Sequence, residues 1–169
     1  MTMTKDEIIK NKANLRGTDL YGADLQGADL QGADLQEAKN LSPKFTSDLN
    51  ILKWQLNKLI AFKYLNGQTS PYQNFVYELG EKYIVDTPCL DERILCGKGI
   101  NLASLEWCLR ETDCNLSKTY AVFEFDPKDL IIPYSSDGKF RVKRATYIRN
   151  LTKEELEGAI KILYENNST

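Results

Sequence analysis

The stretch GADLQGADLQGADLQEA, Gly22–Ala38, spells the same five letters three times over. Set in register it extends upstream, reading ANLRG, TDLYG, ADLQG, ADLQG, ADLQE, with Leu15, Leu20, Leu25, Leu30 and Leu35 in one column. Small residues stand two places before each leucine: Ala13, Thr18, Ala23, Ala28 and Ala33. A period of five fits neither the 3.6 residues of a helical turn nor the two of a strand. The chain must therefore turn at regular intervals to bring every leucine to one interior. That is the pattern of a solenoid.

This A-(D/N)-L-x-x pattern strongly resembles the pentapeptide-repeat family. The resemblance implies a right-handed, four-sided β-helix with four repeats per coil. Five repeats would then make about one and a quarter coils, and strand spacing of ~4.8 Å gives a rod shorter than ~10 Å. The family's best-known role, mimicry of duplex DNA, needs a longer object, since one helical turn of DNA runs ~34 Å. A solenoid this short is not expected to act alone. Asp19, Asp24, Asp29 and Asp34 form an acidic series at the same period, but five-residue spacing turns each onto a different side of the coil. A turn hydrogen bond is their expected role rather than a metal ladder.

Both ends of the repeat carry closing signals. Thr4-Lys5-Asp6-Glu7 has the form of a capping box, and Ile8 and Ile9 behind it can cover the open end of the leucine column. After Ala38 the register is lost, and a helix over Asp48–Gln55 is expected, with Leu49, Leu52 and Leu56 on the side that closes the other end. The division expected is a cap and coil over residues 1–41, a linking helix over 42–57 and a second domain over 58–169.

The second domain reads as α+β, with a mostly antiparallel sheet. KLIAFKYL is strand-like, YELGEKYIV reads as a hairpin turning near Gly80, and TYAVFEF alternates with Ala121, Phe123 and Phe125 on one face. FRVKRATYI reads as one continuing strand after the Ser136-Asp137-Gly138 turn. Ser104 is the expected N-cap of a helix LEWCLRE, in which Leu105, Cys108 and Leu109 share a face. Thr152-Lys153-Glu154-Glu155 is a second capping box, stapled by Leu151 and Leu156.

Composition sets outer limits. The chain has 169 residues, 42% apolar and 27% charged, with a net charge of −2. That is ordinary for a folded domain and supplies no global attraction for nucleic acid or an anionic membrane. The first residues lack the apolar core of a signal peptide and no apolar run approaches the ~20 residues of a membrane span, so a cytoplasmic location is expected. Four cysteines occur without a C-x-x-C pair and there is no histidine at all. This removes imidazole acid–base catalysis, Ser-His and Cys-His nucleophiles and histidine-bound metals together. No cofactor, no metal and no catalytic residue is called for, and an enzyme is the less favoured reading.

Two segments remain as site candidates. In CGKGINLAS, Gly97 and Gly99 allow close approach of a ligand, Lys98 adds a cation, and the following helix begins with free N–H groups. Cys96, Gly97, Lys98, Gly99, Asn101 and Ser104 are thus the candidate ligand-binding set. The alternative is a tight strand-to-helix turn that needs glycine for its own geometry. Farther on, Lys139, Arg141 and Lys143 fall on one face opposite Phe140 and Val142, a candidate row for phosphate or another anion. Cross-strand ion pairs with Glu124 and Asp126 would account for the same charges.

From roughly Leu59 to Arg149 the chain looks like a domain recurring in bacteriophage and prophage proteins, including the C-terminal part of rIIB-type lysis-inhibition proteins. The residues that carry this are Gly80-Glu81-Lys82-Tyr83, the CGKGINLAS segment, FEFDPKDLIIPY and GKFRVKRATYI. Asn101 stands where that pattern commonly has histidine. The resemblance implies a phage or prophage accessory protein of unassigned activity in the host cytoplasm, and with no histidine in the chain the reading is a non-enzymatic one that binds a host protein or a small ligand. CGKGINLAS is also similar to the G-x-G-I-Y-F-A element bordering the NAD pocket of ADP-ribosyltransferases, with Asn101 in place of the tyrosine. This implies, as the alternative, an ADP-ribosyltransferase-like domain that binds or turns over a nucleotide, while nucleic-acid binding through residues 139–149 is the third alternative.

Overall fold

The computed structural model describes residues 3–20, 23, 25, 28–39, 49, 52–53 and 55–165. The N-terminal segment opens with helix α1, Lys5–Lys10, whose capping box forms as expected: Thr4 Oγ1 accepts from Glu7 N, and Thr4 N donates to the Glu7 carboxylate. Ile8 is fully buried against the leucine column, so α1 lies over its end.

Each repeat turns in the same way. Thr18 N, Ala23 N, Ala28 N, Ala33 N and Ala38 N all donate to the carbonyl of the leucine three residues earlier. The period of five is therefore one short extended stretch plus one turn, and the turn places each small residue where only a small side chain fits the interior. Gly17 and Gly32 take φ of +68° and +71° at the third turn position, which L-residues disfavour. Asp29 and Asp34 accept through Oδ1 from the backbone N–H groups of Gln31 and Gln36, the turn bond expected of them. Successive turns then stack: Asp19 and Lys39, twenty residues and so four repeats apart, form a parallel bridge, with Leu20 N donating to Lys39 O at 3.0 Å.

Leu15, Leu20, Leu25, Leu30 and Leu35 are all at most 2% exposed. Leu25→Asp should therefore place a carboxylate among them and lower the unfolding free energy by about 2–3 kcal/mol. Urea denaturation checks this, and an unchanged midpoint would show that the column is not a packed core.

The remainder of the chain is a seven-stranded sheet with helices on one face. Its strands are β1 (Leu59–Leu65), β2 (Lys82–Ile84), β3 (Ile100–Ala103), β4 (Thr119–Phe125), β5 (Leu130–Ile131), β6 (Lys139–Val142) and β7 (Arg144–Asn150). The order is β2-β7-β4-β1-β3-β6-β5 and every pairing is antiparallel. The central pair, β1 with β4, runs in register from Leu59↔Phe125 to Leu65↔Thr119.

Two expectations about this sheet are corrected. The single strand expected over FRVKRATYI is divided at Lys143, and its two parts sit four places apart in the sheet. In a flat sheet they would be ~19 Å apart at ~4.8 Å per strand, yet one residue joins them. The sheet must curl strongly. Lys143 sits where its edges converge, its N–H donating to Asp129 O and its carbonyl accepting from Val85 N. Secondly, the chain does turn at Gly80, but β2 pairs with β7 rather than with the residues before the turn.

One side of the sheet buries Ala61, Leu65, Phe123, Phe125 and Tyr147. The other buries Tyr64 and Tyr120 against α2 (Leu105–Glu111) and α3 (Lys153–Glu165), through Trp107, Cys108, Leu109 and Leu156. Both helices start as their sequences require: Ser104 accepts from Trp107 N, and Thr152 and Glu155 exchange their bonds. Of the helix expected over Asp48–Gln55, half of the residues lie outside those described. Leu49 and Leu52 pack on the sheet's core rather than on the coil, and Leu56 is fully exposed.

The two parts of the chain touch at defined points. Tyr134 packs on the leucine core, Gly32 N donates to Ser135 O at 3.2 Å, and Arg93 Nη1 donates to Ala38 O at 2.9 Å. No helix among the described residues is long and apolar enough to cross a membrane.

Candidate ligand cleft

β1 and β3 meet antiparallel at Phe62↔Ala103, and α2 crosses beside them. Between these elements and the segment Ser70–Tyr77 lies a cavity of about 210 Å³. Its lining combines aromatic surface with ammonium groups. Tyr64 and Trp107 stand 6.3 Å apart, nearly parallel at 26°, and Tyr72 meets Tyr64 edge-on at 6.0 Å. The hydroxyls of Tyr64 and Tyr72 are hydrogen-bonded to each other.

Lys63 reaches this cavity from the middle of β1. Its Nζ donates to Asn101 O at 3.1 Å and lies 5.5 Å from the centre of the Tyr77 ring. Burial pushes the Lys63 ammonium down to about 8, because removing the charged form from water is unfavourable. Lys139 enters from β6, its Nζ 5.0 Å from the centre of the Trp107 ring and 3.0 Å from Cys96 Sγ. Among the described residues neither lysine has a carboxylate within ion-pair distance, whereas Lys12, Lys53, Lys58, Lys128 and Lys153 each do.

The glycine segment forms the adjoining wall. Asn101 Nδ2 donates to the carbonyls of Gly97 and Gly99, 3.3 Å each, and folds the turn back on its own strand. That leaves Asn101 Oδ1 buried without a hydrogen-bond donor, an uncommon state for a buried polar atom. Gly99 has φ of +155° and a Cβ there would lie 3.2 Å from the Arg141 side chain. A Cβ on Gly97 would lie 2.7 Å from Cys89 Cβ. Both glycines are thus required by packing on the back of the turn, and Gly99 also lines the cavity on its front.

Of the six residues anticipated here, Cys96, Gly99 and Asn101 line the cavity. Gly97 packs behind it, Lys98 turns away to donate to Thr87 Oγ1 at 2.7 Å, and Ser104 caps α2. The anticipated basic row does not form. Lys139 joins the cleft, Lys143 is exposed at the strand break, and Arg141 is wholly buried. Its Nε, Nη1 and Nη2 donate to the carbonyls of Cys89, Ile94 and Asp91 at 2.7, 2.6 and 2.6 Å. Arg141 is therefore the core of a loop rather than an anion site. Glu124 and Asp126 do not pair with the row either, since β4 lies between β1 and β7. They pair with Lys58 and Lys128.

Lys63, Tyr64, Tyr72 and Trp107 were not anticipated as cleft residues. One signal was present for Lys63, a single cation inside the apolar strand LIAFKYL. Three further ionisable groups of the cleft are held neutral by burial, which pushes the Cys108 thiol and the Tyr77 hydroxyl each up to about 12 and raises the Tyr64 hydroxyl; the lining also carries one acidic side chain, Glu111 at the end of α2.

Residues 11–39 match the family model described as pentapeptide repeats (8 copies). No curated protein and no solved structure matches the chain.

Proposed function

We propose that the protein is a non-enzymatic accessory module that binds a small anionic compound carrying a flat ring, of the nucleotide-like kind, in the cleft between β1, β3 and α2. The observation that carries this reading is the pair of ammonium groups without carboxylate partners, Lys63 and Lys139, set around stacked aromatic surface. Burial of the Lys63 ammonium with no carboxylate beside it is unfavourable, and an anionic ligand would supply the missing charge, with the half-exposed Lys139 as a second contact. Rings of Trp107 and Tyr72 offer the flat contact. The cleft holds no histidine, and its Cys108 thiol and its Tyr64 and Tyr77 hydroxyls are held neutral by burial, which suits capture better than turnover.

In this reading the pentapeptide segment is a right-handed, four-sided β-helix, capped by α1 and by Tyr134. It is a rigid extension of the ligand-binding domain rather than a binding rod of its own. The resemblance to bacteriophage and prophage domains supplies the setting, an accessory protein acting in the host cytoplasm. A host-protein partner is the second reading, and it rests on exposed apolar side chains at and before edge strand β2. Phe75 packs on Tyr83 while Leu79 and Ile84 are more than half exposed.

Native mass spectrometry of gently purified protein tests the first reading. A discrete co-purifying small anion is expected, and it should be absent from Gly99→Val. That substitution places two methyl groups against Arg141 at a backbone angle favouring glycine, at a cost of about 1–2 kcal/mol. Unchanged circular dichroism with lost ligand supports the cleft. Ligand retained by a folded Gly99→Val protein sends the search to the apolar surface around β2 and to host-protein capture.

A further inference from the structure

We propose that Lys63 is a carbonyl-capturing amine, which forms an imine with an aldehyde or ketone conjugated to a flat ring whose acidic substituent meets Lys139. The inference deepens the ligand-binding reading and rests on it. Three observations place the chemistry at this lysine. Lys63 lines the cavity together with Trp107, Glu111 and Lys139, so a planar ligand held there is within reach of both lysines. A hydrogen bond to the main-chain carbonyl of Asn101 fixes the direction of Lys63 Nζ while leaving the lone pair of the neutral amine available. No carboxylate among the described residues holds it protonated by ion pairing.

The step balances without an outside oxidant or reductant. The Nζ lone pair adds to the carbonyl carbon to give a carbinolamine, and a proton passes from nitrogen to the new hydroxyl. That oxygen then leaves as water as the C=N bond forms. Burial assists, since it brings the amine down to about 8, whereas an ordinary solvent-exposed lysine at that pH is less than ~1% neutral. The competing nucleophile of the interior, Cys108, is kept as a thiol by the same burial. Cys96 at the mouth can add to a carbonyl only reversibly and is not fixed by reduction.

The test uses para-formylbenzoate as probe, with cyanoborohydride to reduce any imine to a stable amine, followed by peptide mapping. The quenching of tryptophan fluorescence by the same probe without reductant reports occupancy beside Trp107. The expected result is quenching together with modification concentrated at Lys63, about tenfold faster than at the average lysine, its much larger neutral fraction being partly offset by the lower nucleophilicity of a less basic amine. The rate should rise to half its maximum near pH 8, and the adduct should vanish in Lys63→Arg. Quenching without a Lys63 adduct would overturn the imine and leave the cleft reading standing. Absence of quenching, with modification spread over the lysines according to exposure, would overturn both.

Discussion

Arg141→Ala is expected to lower the unfolding free energy by about 3–5 kcal/mol, among the largest effects of any single substitution in the chain. The side chain is wholly buried and its guanidinium is the donor for three carbonyls of the segment Cys89–Ile94. Truncation leaves those acceptors without partners and opens a cavity as well, two costs that add. For a chain of this size the midpoint of thermal unfolding should fall by roughly 10 °C. Arg141→Lys should not restore it. An ammonium is one compact donor cluster, whereas the carbonyls of Cys89, Asp91 and Ile94 are met by three separate nitrogens of a planar fork. Ligand affinity should fall with stability, because Gly97 and Gly99 are packed against Arg141 and carry the cleft wall with them. A loss below about 1 kcal/mol in urea denaturation would show that this loop is held by something else.

Arg141 also illustrates what the sequence could and could not convey. Alternation across Lys139–Val142 correctly separates two faces, but it says nothing of what covers each one. The face bearing Arg141 reads as an open row for an anion or for cross-strand ion pairs because charged residues usually face water. Here the loop from Cys89 to Gly97 folds over it and offers carbonyls in place of water. The same limit explains the division at Lys143: the two-residue period runs straight through it, while the strand partners change from β3 and β5 to β4 and β2. Periodicity reports burial, and pairing is decided by residues far away in the chain.

Local chemistry was far more legible. Both capping boxes, the Ser104 cap, the aspartate turns and the leucine column are set by residues within five positions of one another, and each forms as read. The cleft falls between these cases. Its glycine wall was visible as a motif, because close packing and positive φ need glycine. Lys63, Tyr72 and Lys139 come from three separate segments that only the fold brings together, so no spacing could announce them.

Lys63→Met should make the protein more stable near neutral pH, by about 2–3 kcal/mol, while abolishing capture of the anionic ligand. The sign follows from the direction of the shift. In the folded protein the ammonium loses its proton near 8, and in the unfolded chain near ~10.4. Between those values the unfolded state binds more protons, so stability of the parent protein rises with pH across that window. Below it the folded state carries the full cost of a buried ammonium. Methionine has similar length and no charge, so the variant should be free of this dependence. The gain should be largest below about pH 8 and should shrink to little once both states of the parent are neutral. Urea denaturation of both proteins across that range checks the curve. If Lys63→Met proves less stable at neutral pH, the bond to Asn101 O outweighs the burial of the charge, and Lys63 is then a structural residue. If it proves more stable yet loses the ligand, the lysine opposes folding and is there for binding, as expected of a residue whose position is set by function rather than by stability.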